Sequence, residues 1–231
     1  MRILNSIFYD IKFQIKHGFY SAYIIVSIFY IGILKYIPQI INKRVGTLII
    51  FSDPSVLGAL FMGGIFLLER DQNTLESLFV TPFRVEEYII SKVISLTIIS
   101  VLSSSFIVFT TYGFNMNLIA FFLGVIITSS FYTLLGLIIV AYSKNLNNYL
   151  LNSCIITIFI LPVVEYLDLY STPIFYLLPG KASLQLINGA FFGISNLNFL
   201  YSIVLLVSWS VIAYLVAIRV FNRKVILKIG G

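Results

Sequence analysis

Leu118-Ile-Ala-Phe-Phe-Leu-Gly-Val-Ile-Ile-Thr-Ser-Ser-Phe-Tyr-Thr-Leu-Leu-Gly-Leu-Ile-Ile-Val-Ala-Tyr142 runs for 25 residues without one charged side chain. A hydrocarbon core of about 30 Å is crossed by roughly 20 helical residues at 1.5 Å each, so this run is long enough to span a bilayer. A membrane β-strand would alternate polar and apolar positions, and this run does not. Comparable runs recur along the chain, separated by short polar breaks. Of the 231 residues 59% are hydrophobic and 10% charged, whereas soluble domains carry about 25% charged residues. The chain is therefore expected to be all-α and polytopic, a single transmembrane domain over residues 1–231 whose principal solvent is lipid.

Six crossings are expected, at about 19–37, 48–68, 88–112, 118–142, 149–166 and 199–220. Ahead of the first, Ile3, Ile7, Phe8, Ile11 and Ile15 share one helical face while Asp10, Lys12 and Lys16 lie elsewhere, the pattern of an amphipathic helix resting on the membrane surface. The first apolar run ends without a small-residue cleavage site and reads as a retained helix. The second crossing is interrupted by Ser52-Asp53-Pro54, the order of a helix start. Either a short outer segment precedes a helix beginning at Pro54, or one long helix is kinked there. Phe114 to Asn117 makes a tight turn, so the third and fourth crossings are expected to be antiparallel neighbours. Leu167 to Asn198, punctuated by Pro173, Pro179, Gly180, Gly189 and Gly193, suits a re-entrant or interfacial segment before the last crossing.

The net charge of +6 arises from placement that favours a membrane, not nucleic acid. With the amino terminus inside, eleven basic residues face the cytoplasm and Lys35, Lys43, Arg44 and Lys181 face outward, so both termini are expected in the cytoplasm. Enzymatic constellations are scarce. The single histidine, His17, belongs to the amphipathic segment, and the single cysteine, Cys154, has no intrachain partner. Adjacent Glu86 and Glu87 are similar to the glutamate pair of intramembrane prenyl-protein proteases, but that family's arginine and membrane histidines are missing. Gly180-Lys181-Ala182-Ser183 lacks the glycine spacing and the hydroxyl residue after lysine of a phosphate-binding loop, so no ATP site and no cofactor are expected in this chain. Asp53, Glu165 and Asp168 are read near the outer ends of helices, as carboxylates at headgroup level, Asp53 also as a helix cap.

The most polar stretch lies between the second and third crossings, from Glu69 to Glu87. Asn73 can cap a short helix with Glu76 three residues on, and Leu75, Leu78 and Phe79 then share a face. Such a face fits a partner's groove, and equally an interfacial helix lying on lipid.

Glu69, Thr74-Leu75-Glu76, Thr81-Pro82, Glu87-Tyr88 and Lys92 match in order and spacing a segment that resembles the permease subunits of ABC-2 type exporters, with Asn73 and Ser91 at two positions where that family often has glycine. The resemblance implies two permease copies, identical or homologous, facing each other around a pathway. It also implies two copies of a separate ABC ATPase, which holds the ATP and Mg and docks on Asn73, Thr74, Leu75, Glu76, Ser77, Leu78 and Phe79, and a bacterial cell membrane as the location. The chain would then be a conduit and not an enzyme, for a drug, antimicrobial peptide or other amphipathic compound. The alternative is an ion-coupled secondary transporter or channel subunit, which asks for ionisable groups near mid-membrane.

Overall fold

The computed structural model describes residues 2–53, 57–80 and 83–226, and among these residues it is helical with no β-strand. In chain order the helices are α1 (Arg2–Lys16), α2 (Phe19–Tyr36), α3 (Gln39–Ser52), α4 (Gly58–Asp71), α5 (Thr74–Val80), α6 (Val85–Tyr112), α7 (Leu118–Ala141), α8 (Leu146–Ser153), α9 (Ile156–Ile160), α10 (Val163–Tyr166), α11 (Pro179–Phe192) and α12 (Asn196–Phe221). Among the described residues four continuous stretches, Phe19–Tyr36, Val85–Tyr112, Leu118–Ala141 and Asn196–Val225, are long and apolar enough to cross a membrane. The region read as the fifth crossing is built from the short α8, α9 and α10, and the region read as the second holds α3 and α4 on either side of residues 54–56, which lie outside the described residues.

α7, the long uncharged run, is the pole of the bundle and packs against α4, α6, α11 and α12. Asn117 starts it, its side-chain oxygen accepting from the Ala120 N–H at 3.2 Å. Two glycines bring neighbours close: a methyl group on Gly136 would lie 2.7 Å from the Ala59 carbonyl oxygen of α4, and one on Gly124 would lie 3.3 Å from Ile187 of α11. Helix association in lipid gains little from the hydrophobic effect, so close approach at small residues is a main source of packing energy. Tyr149 of α8 adds a buried hydroxyl that donates to the Ala59 carbonyl at 2.5 Å. α2 and α12 stand at the periphery, with only 17% and 22% of their most apolar windows buried.

The segment before α12 enters the bundle. Pro173–Leu177 forms a 3₁₀ turn, and α11 follows with Ala182, Ser183, Leu184, Leu186 and Ile187 buried against α7 and α12. Asn117 N–H donates to the Ala190 carbonyl at 2.9 Å, tying the α6–α7 turn to the end of α11.

α1 differs from the surface helix expected. Its apolar side, with Phe8 69% exposed, does face outward, but Asp10, Phe13 and Gln14 are buried against α6. The helix is docked by its polar side.

Candidate functional site: a buried charge junction at the coupling corner

One end of the bundle gathers α1, the α4–α5 corner, the start of α6 and the end of α12, where the Phe221 ring meets those of Phe66 and Tyr88. At its centre is Lys92, one helical turn beyond Tyr88 on α6. Its side chain is 1% exposed and forms ion pairs with Asp10 Oδ1 of α1, at 2.5 Å, and with Glu69 Oε1 of α4. Tyr88 Oη donates to the other Glu69 oxygen at 2.8 Å, and Ser91 Oγ donates to Asp10 Oδ2 at 2.7 Å. The Lys92 ammonium also lies over the Tyr88 and Phe13 rings, 5.1 and 5.9 Å from their centroids, where the ring quadrupole favours it. Ser6 Oγ donates to Ser91 Oγ at 3.0 Å and Gln14 Nε2 to Ser95 Oγ at 2.9 Å, so Ser6, Asp10 and Gln14 meet Ser91, Lys92 and Ser95 along the whole α1–α6 contact.

Two further ties hold the corner. Arg70 donates from Nη1 to the Ser143 carbonyl at 3.0 Å and from Nη2 to the Lys144 carbonyl, anchoring the end of α4 to the α7–α8 loop. Gln72 Nε2 meets His17 Nε2 at 3.1 Å beside the α1–α2 elbow. The corner itself turns on Asn73, which has φ of +55° while its N–H donates to the Arg70 carbonyl at 3.0 Å. A helix that ends in the left-handed region takes glycine or asparagine there. That is the physical reason asparagine suits this position.

α5 lies with Leu75 buried and Leu78 packed on the core, so these two turn toward the protein, while Asn73 and Ser77 are exposed and Thr74 is half-buried. The leucines, read from sequence as part of a face for a partner's groove or for lipid, here pack against their own chain. The side chains of Glu76 and Phe79, and Thr81 and Pro82 as a whole, lie outside the described residues. Glu87 starts α6 by accepting from the Arg84 N–H at 2.9 Å.

Sequence reasoning found Glu69, Tyr88 and Lys92 through the resemblance but missed Asp10. The signal was present: Ser6, Asp10 and Gln14 recur every four residues, a polar stripe on a helix otherwise read by its apolar one.

Asp53 was also misplaced by the sequence. It is 0% exposed, between α3 and α4 in the packed interior, not solvated at headgroup level. At the opposite end from the junction, Arg44 pairs with Asp168 at 2.9 Å and Lys181 with Glu165 at 2.8 Å. Among the described residues no group of three or more His, Cys, Asp or Glu side chains comes together as metal ligands would.

A helical bundle with apolar spanning segments and a buried charge junction at one end defines a polytopic membrane protein. The fluoroquinolones export permease protein family matches residues 1–229, and the chain belongs to that family. Two fluoroquinolones export permease proteins of Mycobacterium tuberculosis, from strain CDC 1551 / Oshkosh and strain ATCC 25618 / H37Rv, are each 22% identical over 192 residues, covering 82% of this chain and 81% of the relative. The resemblance to ABC-2 type permeases agrees with this family.

Proposed function

We propose that this permease is the membrane subunit of an ATP-driven exporter of amphipathic, drug-like compounds, working as two permease copies with two copies of a separate ABC ATPase in a bacterial cell membrane. The observation that carries the reading is the junction of Lys92 with Asp10 and Glu69. An ATPase pressing on the exposed side of α5 displaces a corner that is held to α1 and α6 by buried ion pairs. Breaking such pairs costs several kcal/mol each, so the three helices move as one body and the motion reaches the spanning part of α6. The ATPase supplies the ATP and Mg chemistry, and this chain supplies the path and the lever. The charge junction then faces the cytoplasm, as does the carboxyl-terminal end of α12.

Cargo class is supported by the relatives, which are named for fluoroquinolone export, and by an interior whose buried polar groups are mostly hydroxyls set among aromatics. The ion-coupled alternative keeps one observation in its favour, the buried Asp53.

The test is co-purification in mild detergent of tagged permease with the neighbouring ATPase, comparing native chain with Ser77→Trp and Lys92→Met. The expected result is that native and Lys92→Met retain the ATPase while Ser77→Trp loses it, and that Lys92→Met alone uncouples ATP hydrolysis from export. An intact native permease that retains no ATPase with or without ATP ends the exporter reading.

A further inference from the structure

The buried carboxylates of the described residues divide into two kinds. Asp10 and Glu69 share Lys92, whereas no Lys, Arg or His forms an ion pair with Asp53. Its Oδ2 accepts one hydrogen bond, from Ser104 Oγ at 3.3 Å, and Ser103 approaches the same group, while Oδ1 has no partner. A charged carboxylate left unpaired in a low-dielectric interior costs several kcal/mol, a cost that either a bound proton or a positive group brought against it removes.

What surrounds Asp53 suits a cation. Ser103 Oγ meets Ser27 Oγ of α2 at 2.8 Å. Tyr23 Oη and Ser129 Oγ both meet Ser100 Oγ, at 3.3 and 3.2 Å, and Thr133 Oγ1 is buried with no partner. Hydroxyl rotors can turn their oxygens toward a positive group without moving the backbone. These hydroxyls of α2, α6 and α7 are all neutral oxygens.

A cavity of about 230 Å³ adjoins this belt between α2 and α6. Tyr20, Tyr23, Leu102 and Phe106 contribute its walls together with Ser27 and Ser103, and Ser103 reaches on to Asp53, which lies behind that lining. It lies at the flank where α2 is mostly exposed, so a lipid-dissolved molecule reaches it sideways. The volume is below the 300–1,000 Å³ typical of sites for whole drug-sized ligands, and fits one aromatic or amine-bearing end.

We propose that Asp53, with the Ser27, Ser103 and Ser104 hydroxyls behind the α2–α6 cavity, is the recognition site for the protonated amine of an amphipathic cargo. The aromatic walls take the apolar body, the serines accept from the ammonium, and the carboxylate supplies the charge that an uncharged analogue cannot use. This rests on the exporter reading for its transport consequence but not for the binding itself.

The experiment uses inside-out vesicles carrying permease and ATPase, supplied with a fluorescent lipophilic amine or its neutral N-acetyl counterpart. For Asp53→Asn, ATP-dependent uptake of the amine is expected to fall about tenfold while that of the acetylated compound stays within about twofold, and Asp53→Glu should restore the amine. Equal loss of both compounds assigns Asp53 to structure, and unchanged uptake of both removes it from recognition. Uptake of the amine driven by a pH gradient without ATP assigns it to ion coupling, and each of these outcomes overturns the proposal. Should native vesicles show no ATP-dependent uptake of either compound, the exporter reading fails by itself. Equilibrium binding of the amine to purified native protein and Asp53→Asn then decides the site: binding lost in the variant upholds it, and equal binding overturns it.

Discussion

Lys92 and Asp10 form an ion pair at 2.5 Å across 82 residues of sequence, with the lysine side chain only 1% exposed. The contact joins a helix that looks peripheral in the sequence to a fully buried lysine of the bundle. Because Lys92 also neutralises Glu69, removing it strands two carboxylates, and a broken buried pair costs about 3–5 kcal/mol. Lys92→Met should therefore lower the detergent melting temperature sharply. Adding Asp10→Leu and Glu69→Gln should recover much of the loss, because no unpaired charge remains. Fluorescence-detected thermal unfolding on the single and triple variants checks this; a triple variant as unstable as the single one contradicts it.

The Asn73 backbone makes a second, sharper prediction. Its φ of +55° places it where glycine is at ease and a β-branched residue is strained. Asn73→Gly should leave the melting temperature within a degree or two, whereas Asn73→Val should cost about 1–2 kcal/mol and weaken export by misaiming α5. If valine is tolerated as well as glycine, the corner does not depend on that conformation.

Close packing at α7 predicts an asymmetry between two glycines. A Cβ at Gly136 falls 2.7 Å from the Ala59 carbonyl oxygen, while one at Gly32 of α2 meets nothing within 4 Å. Gly136→Ala should destabilise by about 1–3 kcal/mol through overpacking, and Gly32→Ala should be neutral or stabilising by a fraction of a kcal/mol. Parallel thermal unfolding of the two variants settles the comparison.

What the sequence made legible follows from which forces act locally. The apolar run of α7 declares itself, since lipid solvation acts on every residue of a long segment. The polar stripe of α1 did not, because Asp10 is worth burying only beside Lys92, a partner that composition and periodicity cannot supply. Asp53 failed for the same reason: the Ser52-Asp53-Pro54 order is a helix-start signal, and only the tertiary arrangement shows Ser103 and Ser104 waiting for the carboxylate. On α5 the periodicity of Leu75 and Leu78 was correct, but periodicity identifies an apolar face without saying whether a partner or the chain itself covers it.

Orientation yields the last prediction. The positive-inside rule, applied to the end that holds Arg70, Arg84, Lys144 and Arg219, predicts that end to be cytoplasmic and the exposed Arg44–Asp168 pair to be outside. The chain has one cysteine, Cys154, which is exposed, so Cys154→Ala gives a clean background for labelling. In that background Ser77→Cys should react with a membrane-impermeant maleimide in inside-out vesicles and not in intact cells. Asp168→Cys should show the reverse, and its loss should cost little stability, since exposed ion pairs contribute about 0–1 kcal/mol. Labelling of Ser77→Cys from outside the cell would invert the bundle, placing α5 where no cytoplasmic ATPase could reach it and the charge junction where none could use it as a lever.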